Sequence, residues 1–139
     1  MIPLGFERIA SLCAPGLLQG QSPEALLSTA TLIDSQLSQV SWRDWFVLNK
    51  MTLPPRPRPS FDRAALAISA AVNGLGIVLE SARLAEREMA RGELVELAPD
   101  RFQPFLRETH FFSQRAQERH IEKIRLFRRW LLQSLGLPD

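Results

Sequence analysis

Between Phe61 and Glu80 the chain reads Phe-Asp-Arg-Ala-Ala-Leu-Ala-Ile-Ser-Ala-Ala-Val-Asn-Gly-Leu-Gly-Ile-Val-Leu-Glu. Few folds accommodate such a run. Ala64, Ala67, Ala70 and Ala71 give a helix with little side-chain bulk, able to lie close on a sheet. Gly74 suits the left-handed position that ends a helix, and Gly76 lets the backbone enter the next strand tightly. Ile77-Val78-Leu79 is then a continuous apolar run, as expected of a strand covered on both faces. A second helix is predicted over residues 82–91, stopped by Gly92, and a further strand over 94–97. Helix, strand, helix, strand with tight turns is the rhythm of a parallel sheet covered by helices, so the expected class is α/β.

The flanking segments supply further elements. Glu7 through Cys13 is a strand candidate, ended by Ala14-Pro15-Gly16. Ser22-Pro23-Glu24 starts a helix: serine caps, proline occupies the first turn, and glutamate faces the positive helix end. Residues 30–33 read as a strand. Ser41 caps a helix from Trp42 to about Met51, where Trp42, Trp45, Phe46 and Asn49 share one face. Leu53-Pro54-Pro55-Arg56-Pro57-Arg58-Pro59 is an extended, solvated connector, because proline locks φ and removes donors. A broken β candidate covers residues 102–112. The last helix is expected over residues 117–135, with Ile121, Ile124, Phe127, Leu131 and Leu135 as its apolar stripe and a basic opposite face.

The 139 residues suffice for one core, and a formal charge of +2 is a weak attraction to nucleic acid. No apolar stretch is long enough to span a bilayer, so no membrane partner is expected. A single cysteine, Cys13, excludes an internal disulfide and fits a reducing, cytoplasmic setting. It reads as a small buried residue at a strand end. His110 and His120 have no acidic or thiol neighbours at metal spacing. Gly74-x-Gly76 follows a helix and precedes a strand, the reverse of a dinucleotide-binding turn. No catalytic constellation is visible. The chain therefore reads as a non-enzyme with no metal and no cofactor.

Several motifs, in order and at compatible spacings, resemble the effector-binding domain of LysR-type transcriptional regulators. Ala14-Pro15-Gly16-Leu17-Leu18 resembles that family's opening turn, and Thr31-Leu32-Ile33 the strand after it. Ser41-Trp42-Arg43-Asp44-Trp45-Phe46 is similar to the paired-tryptophan segment of the subgroup related to the glycine-cleavage activator. Gly74-Leu75-Gly76-Ile77-Val78-Leu79, Arg91-Gly92-Glu93-Leu94-Val95 and Phe127-Arg128-Arg129-Trp130-Leu131 resemble its later signatures. Glu80-Ser81 departs from the proline or arginine often found there.

The resemblance implies a periplasmic-binding-protein-like lobe, the second of a two-lobed sensor, over about residues 14–97. Residues 102–135 would return into an incomplete first lobe. The helix-turn-helix and linker helix of a full-length member are expected to be absent, so no specific DNA binding is expected of this chain. The implied function is sensing a small molecule to control transcription. A stand-alone module pairing with full-length regulators is an alternative, and a small α/β enzyme is disfavoured. The implied partners are a small-molecule effector and other LysR-type sensor domains, in homo- or hetero-oligomers. By position, the resemblance assigns the effector to Ser60, Phe61 and Asp62, at the start of the helix over 63–73, with Thr31 as a further candidate. Backbone N–H groups at that helix end would suit a carboxylate. For Asp62 and Phe61 the plainer reading is a helix cap and a core residue.

Overall fold

The computed structural model describes residues 2–3, 6–107, 111–112 and 122–137. The chain divides into two compact units. One comprises Arg8–Phe105; the other comprises Met1–Glu7 with Leu106–Asp139.

The larger unit is built on a mixed sheet. Its strands are β2 (Glu7–Cys13), β3 (Leu32–Ser35), β4 (Ser60–Phe61), β5 (Ile77–Ser81) and β6 (Val95–Glu96), in the order β4-β3-β5-β2-β6. β3 runs parallel to both β4 and β5, with Asp34 opposite Ser60 and Ile33 opposite Val78. β2 is antiparallel to β5 and β6. The parallel order expected from the helix–strand rhythm thus holds for part of the sheet. The helix–strand rhythm produces the β3-β4-β5 half, but β2 enters from outside that rhythm and inverts the direction beside β5.

Strand alternation explains how one sheet serves two cores. Ile9 and Cys13, Leu32, Ile77 and Leu79 face one side. There they meet α1 (Pro23–Thr29) and α2 (Trp42–Leu48) through Leu26, Leu27, Trp42, Trp45 and Phe46. Ala10, Leu12, Ile33 and Val78 face the other side, against Ala67, Ile68 and Ala71 of α3 (Ala64–Val72) and Ala85 ahead of α4 (Glu86–Ala90). Burial of both faces is why the strands read as continuous apolar runs.

Local signals mark most element ends. Ser22 caps α1 by accepting the Ala25 N–H at 3.2 Å. Ser41 and Asp44 form a reciprocal capping box on α2. α3 ends where Gly74, at φ +83°, lets its N–H reach the Ala71 carbonyl and the Leu75 N–H reach the Ala70 carbonyl. A side chain at Gly76 would overlap the Thr31 carbonyl oxygen, which accepts the Ile77 N–H at 2.8 Å.

Several elements differ from expectation: the helix expected from Trp42 to about Met51 ends at Leu48, and the strand expected over 94–97 is Val95–Glu96. The helix expected over 82–91 is only α4, because Ala82 donates to the Arg8 carbonyl and Ser81 Oγ accepts from the Arg83 N–H, holding a turn. The strand expected over 30–33 is β3, two residues later. The connector from Leu53 to Pro59 lacks regular structure, but it is not simply solvated. Arg56 donates to the Thr29 and Ala30 carbonyls at 2.9 and 3.0 Å, and Arg58 pairs with Asp34 at 3.1 Å.

β7 (Phe105–Arg107) spans the boundary between the units. The smaller unit holds an antiparallel pair, β1 (Ile2–Pro3) with β8 (Phe111–Phe112), and α5 (Glu122–Ser134). Among the stripe residues expected on α5, Phe127 and Leu135 are exposed, Leu131 is half-buried, and the buried residue is instead Leu132. Ile121 and the side chain of Ile124 lie outside the described residues, as do His110 and His120.

Candidate functional site

A hollow of about 390 Å³ opens at the C-terminal end of β3, beside the start of β4. In open α/β sheets this is where ligands usually bind, because loops diverge there and leave backbone groups and side chains uncovered. The register that sets Asp34 opposite Ser60 brings together segments distant in sequence. Asp34, Ser35 and Gln36 come from the end of β3; Ser38, Ser41 and Arg43 from the next turn and α2; Arg58 and Ser60 from the connector and β4. Ile33, Val40, Trp42 and Leu79 supply apolar wall.

Hydrogen bonds fix this frame. Asp34 N–H donates to the Pro59 carbonyl at 2.8 Å, and Gln36 N–H to the Phe61 carbonyl at 2.9 Å. The Trp42 indole N–H donates to the Ile33 carbonyl at 2.9 Å, locking α2 onto β3. Ser38 Oγ donates to the Val40 carbonyl and accepts the Val40 N–H, which shapes the turn. Arg58 Nε holds Asp34 Oδ2. That pairing leaves Arg43 as the lining charge with no carboxylate partner among the described residues, so the hollow carries a net positive charge. Ser35 borders the hollow too, but its buried Oγ, without a hydrogen-bond partner among the described residues, follows its register partner Phe61 to the α3 side of the sheet.

The four residues expected at the site separate. Ser60 lines the hollow. Phe61 is half-buried against the Ala67–Ile68 core, with its carbonyl committed to Gln36. Asp62 is exposed and does not cap α3, whose N-cap is Arg63 without a side-chain bond. Thr31 sits at the opposite end of β3, in a separate hollow with Pro54 and Arg56, and its carbonyl is used by Ile77. Ser35, Arg43 and Arg58 escaped the sequence reading because only the parallel register unites them. The available signal was the placement of arginine between rigidifying prolines.

Cys13 is fully buried on β2, and desolvation pushes its thiol from 9.0 up to about 11. Such a thiol is inert at neutral pH, as expected of a packing residue. Among the described residues no group of His, Cys, Asp or Glu is placed to hold a metal ion. Among them, too, no helix is long and apolar enough to cross a membrane.

Known proteins share this architecture. The LysR substrate binding domain matches residues 1–136. The HTH-type transcriptional regulator PerR of Escherichia coli K12 is 38% identical over 98% of this chain and 46% of its own length. The regulator y4mQ of Sinorhizobium fredii is 51% identical over 68% of this chain and 32% of its own length. The chain thus spans half or less of the length of these relatives. In structure, the effector domain of the transcriptional regulator AmpR of Pseudomonas aeruginosa superposes with a TM-score of 0.69 at 23% identity, covering 97% of this chain and 64% of that one. At that identity the likeness is one of fold, a periplasmic-binding-protein-like effector domain. With the family match and the PerR relationship it leads to one conclusion: the chain belongs to the LysR substrate-binding-domain family.

Proposed function

We propose that this chain is the effector-binding part of a LysR-type transcriptional regulator, and that the hollow beside Ser60 receives the effector. The reading rests on family membership and on one observation above all. Arg43, with no carboxylate partner among the described residues, meets Ser60 in a polar, net-positive hollow at the end of β3. The effector that suits this lining is a small, hydroxyl-bearing carboxylate. Arg43 answers its charge, and Ser60 answers its hydroxyl. Phe61 ties β4 to Gln36 through its carbonyl, and Asp62, next along the chain, is assigned as a contact for larger effectors. Thr31 acts on the fold through its backbone. The paired tryptophans of α2 support a place in the glycine-cleavage-activator-like subgroup. Relatives named as transcriptional regulators support a non-catalytic role, which we place in the cytoplasm and in association with other sensor domains.

A thermal-shift screen against small mono- and dicarboxylates tests the proposal. Binding at about 100 times Kd stabilises by about 2.7 kcal/mol, a shift of several degrees. Ser60→Trp should fill the hollow and abolish the shift while leaving the unliganded midpoint nearly unchanged, since Ser60 is exposed. A panel with no stabilising member, or hits indifferent to Ser60→Trp, would refute it.

A further inference from the structure

A third hollow, of about 490 Å³, lies between the proline connector and α2. Its apolar surface comes from Met51 and Leu53, both packed on the α2 core, and from Val47 at the rim. Val47 is 71% exposed, although it sits in a helix whose aromatic residues, Trp42, Trp45 and Phe46, are buried. Three cations, Arg43, Arg56 and Arg58, complete the lining, and no carboxylate joins them. Of the three, only Arg58 has a carboxylate partner among the described residues, Asp34. Arg56 is held rigid by its bonds to the Thr29 and Ala30 carbonyls, and these leave its charge uncancelled.

A fixed guanidinium, a second one without an acidic partner, and an apolar shelf beside them match one ligand chemistry. We propose that this hollow is a binding site for an amphipathic monoanion: a carboxylate on a short aliphatic or aromatic body. The carboxylate meets Arg43 and Arg56, and the body covers Val47, Met51 and Leu53. The volume fits a small ligand. Bidentate geometry favours arginine for the head group. The site is distinct from the hollow beside Ser60, but the two share Arg43 and Arg58 as a common wall. An anion in one is therefore felt in the other.

Octanoate is the probe, and methyl NMR of Val47, Met51 and Leu53 is the readout. Octanoate should shift these methyls saturably, and octan-1-ol, with the same tail and no charge, should bind at least about tenfold more weakly. Val47→Asp places a like charge at the rim without touching the hollow beside Ser60. It should abolish the octanoate response and leave backbone shifts at Ser35 and Ser60 unchanged. Val47→Asn, isosteric with that variant but neutral, should keep most of the binding and so controls for folding. Equal binding of octan-1-ol overturns the proposal, as does octanoate binding that survives Val47→Asp. So does an octanoate response confined to Ser35 and Ser60, which would place the anion in the other hollow alone.

Discussion

α2 and α5 carry similar sequence patterns and meet opposite fates. Each presents aromatic and aliphatic residues at helical spacing: Trp42, Trp45 and Phe46 on α2, Leu126, Phe127 and Trp130 on α5. On α2 all three are buried, the two tryptophans to 1% exposure, stacked edge-on at 5.3 Å. On α5 all three are exposed, Trp130 by 60%, with Phe127 and Trp130 in ring contact at 5.9 Å. Helical periodicity specifies that an apolar face exists, but not whether a complementary surface lies within the same residues. α2 has the sheet beneath it and an indole hydrogen bond to β3.

The largest effect separates the two tryptophan sets. Trp45→Ala should lower stability by about 3–5 kcal/mol, the usual result of emptying a packed aromatic site. Trp130→Ala should cost less than about 0.5 kcal/mol, as exposed substitutions do. Denaturant midpoints measure both, and comparable losses would show that Trp130 is covered in solution.

Alkaline pH offers a second contrast. The Cys13 thiol is neutral in the folded state up to about pH 11, whereas the unfolded thiol ionises near 9.0. Its contribution is fully present below pH 9 and is lost as pH rises toward 11, because the unfolded state then gains charge that the folded state cannot. A two-unit difference corresponds to about 2–3 kcal/mol as an upper bound. Stability against pH for wild type and Cys13→Ala should diverge only above pH 9. Parallel curves would mean that Cys13 is hydrated.

A smaller contrast lies at two helix ends with the same hydrogen-bond pattern. Gly74 closes α3 and Gly136 closes α5, at φ +83° and +70°. The Leu75 N–H reaches back to Ala70 at 3.0 Å, and the Leu137 N–H reaches back to Leu132 at 2.8 Å. Gly74→Ala should cost about 1 kcal/mol of global stability. Gly136→Ala should change the global midpoint by no more than a few tenths, its effect appearing as faster amide exchange in the last turn of α5. Equal effects on the midpoint would make α5 part of the same cooperative unit as α3.

The legibility of these regions in sequence depends on the range of the interactions involved. β2 was readable residue for residue, and the starts of α1 and α2 and the stop at Gly74 were readable because caps act within four positions. The direction of β2 was not, since strand polarity depends on partners distant along the chain. The site was legible at Ser60 only through a family resemblance. Asp34, Ser35, Arg43 and Arg58 are individually ordinary polar residues, and their convergence is a consequence of the Asp34–Ser60 register. Leu132 was missed because a stripe was fitted through Leu131 and Leu135, and one position of helical rotation exchanges a buried residue for a half-buried one.

The central claim is that the hollow beside Ser60 binds a small carboxylate. The most direct measurement is an amide NMR titration of the chain with the best carboxylate from the thermal-shift screen. Saturable shifts should concentrate at Asp34, Ser35, Gln36, Arg43 and Ser60, leave Leu126 to Trp130 unmoved, and vanish in Ser60→Trp. Shifts confined to α5, or spread evenly over the sheet without saturation, would contradict it.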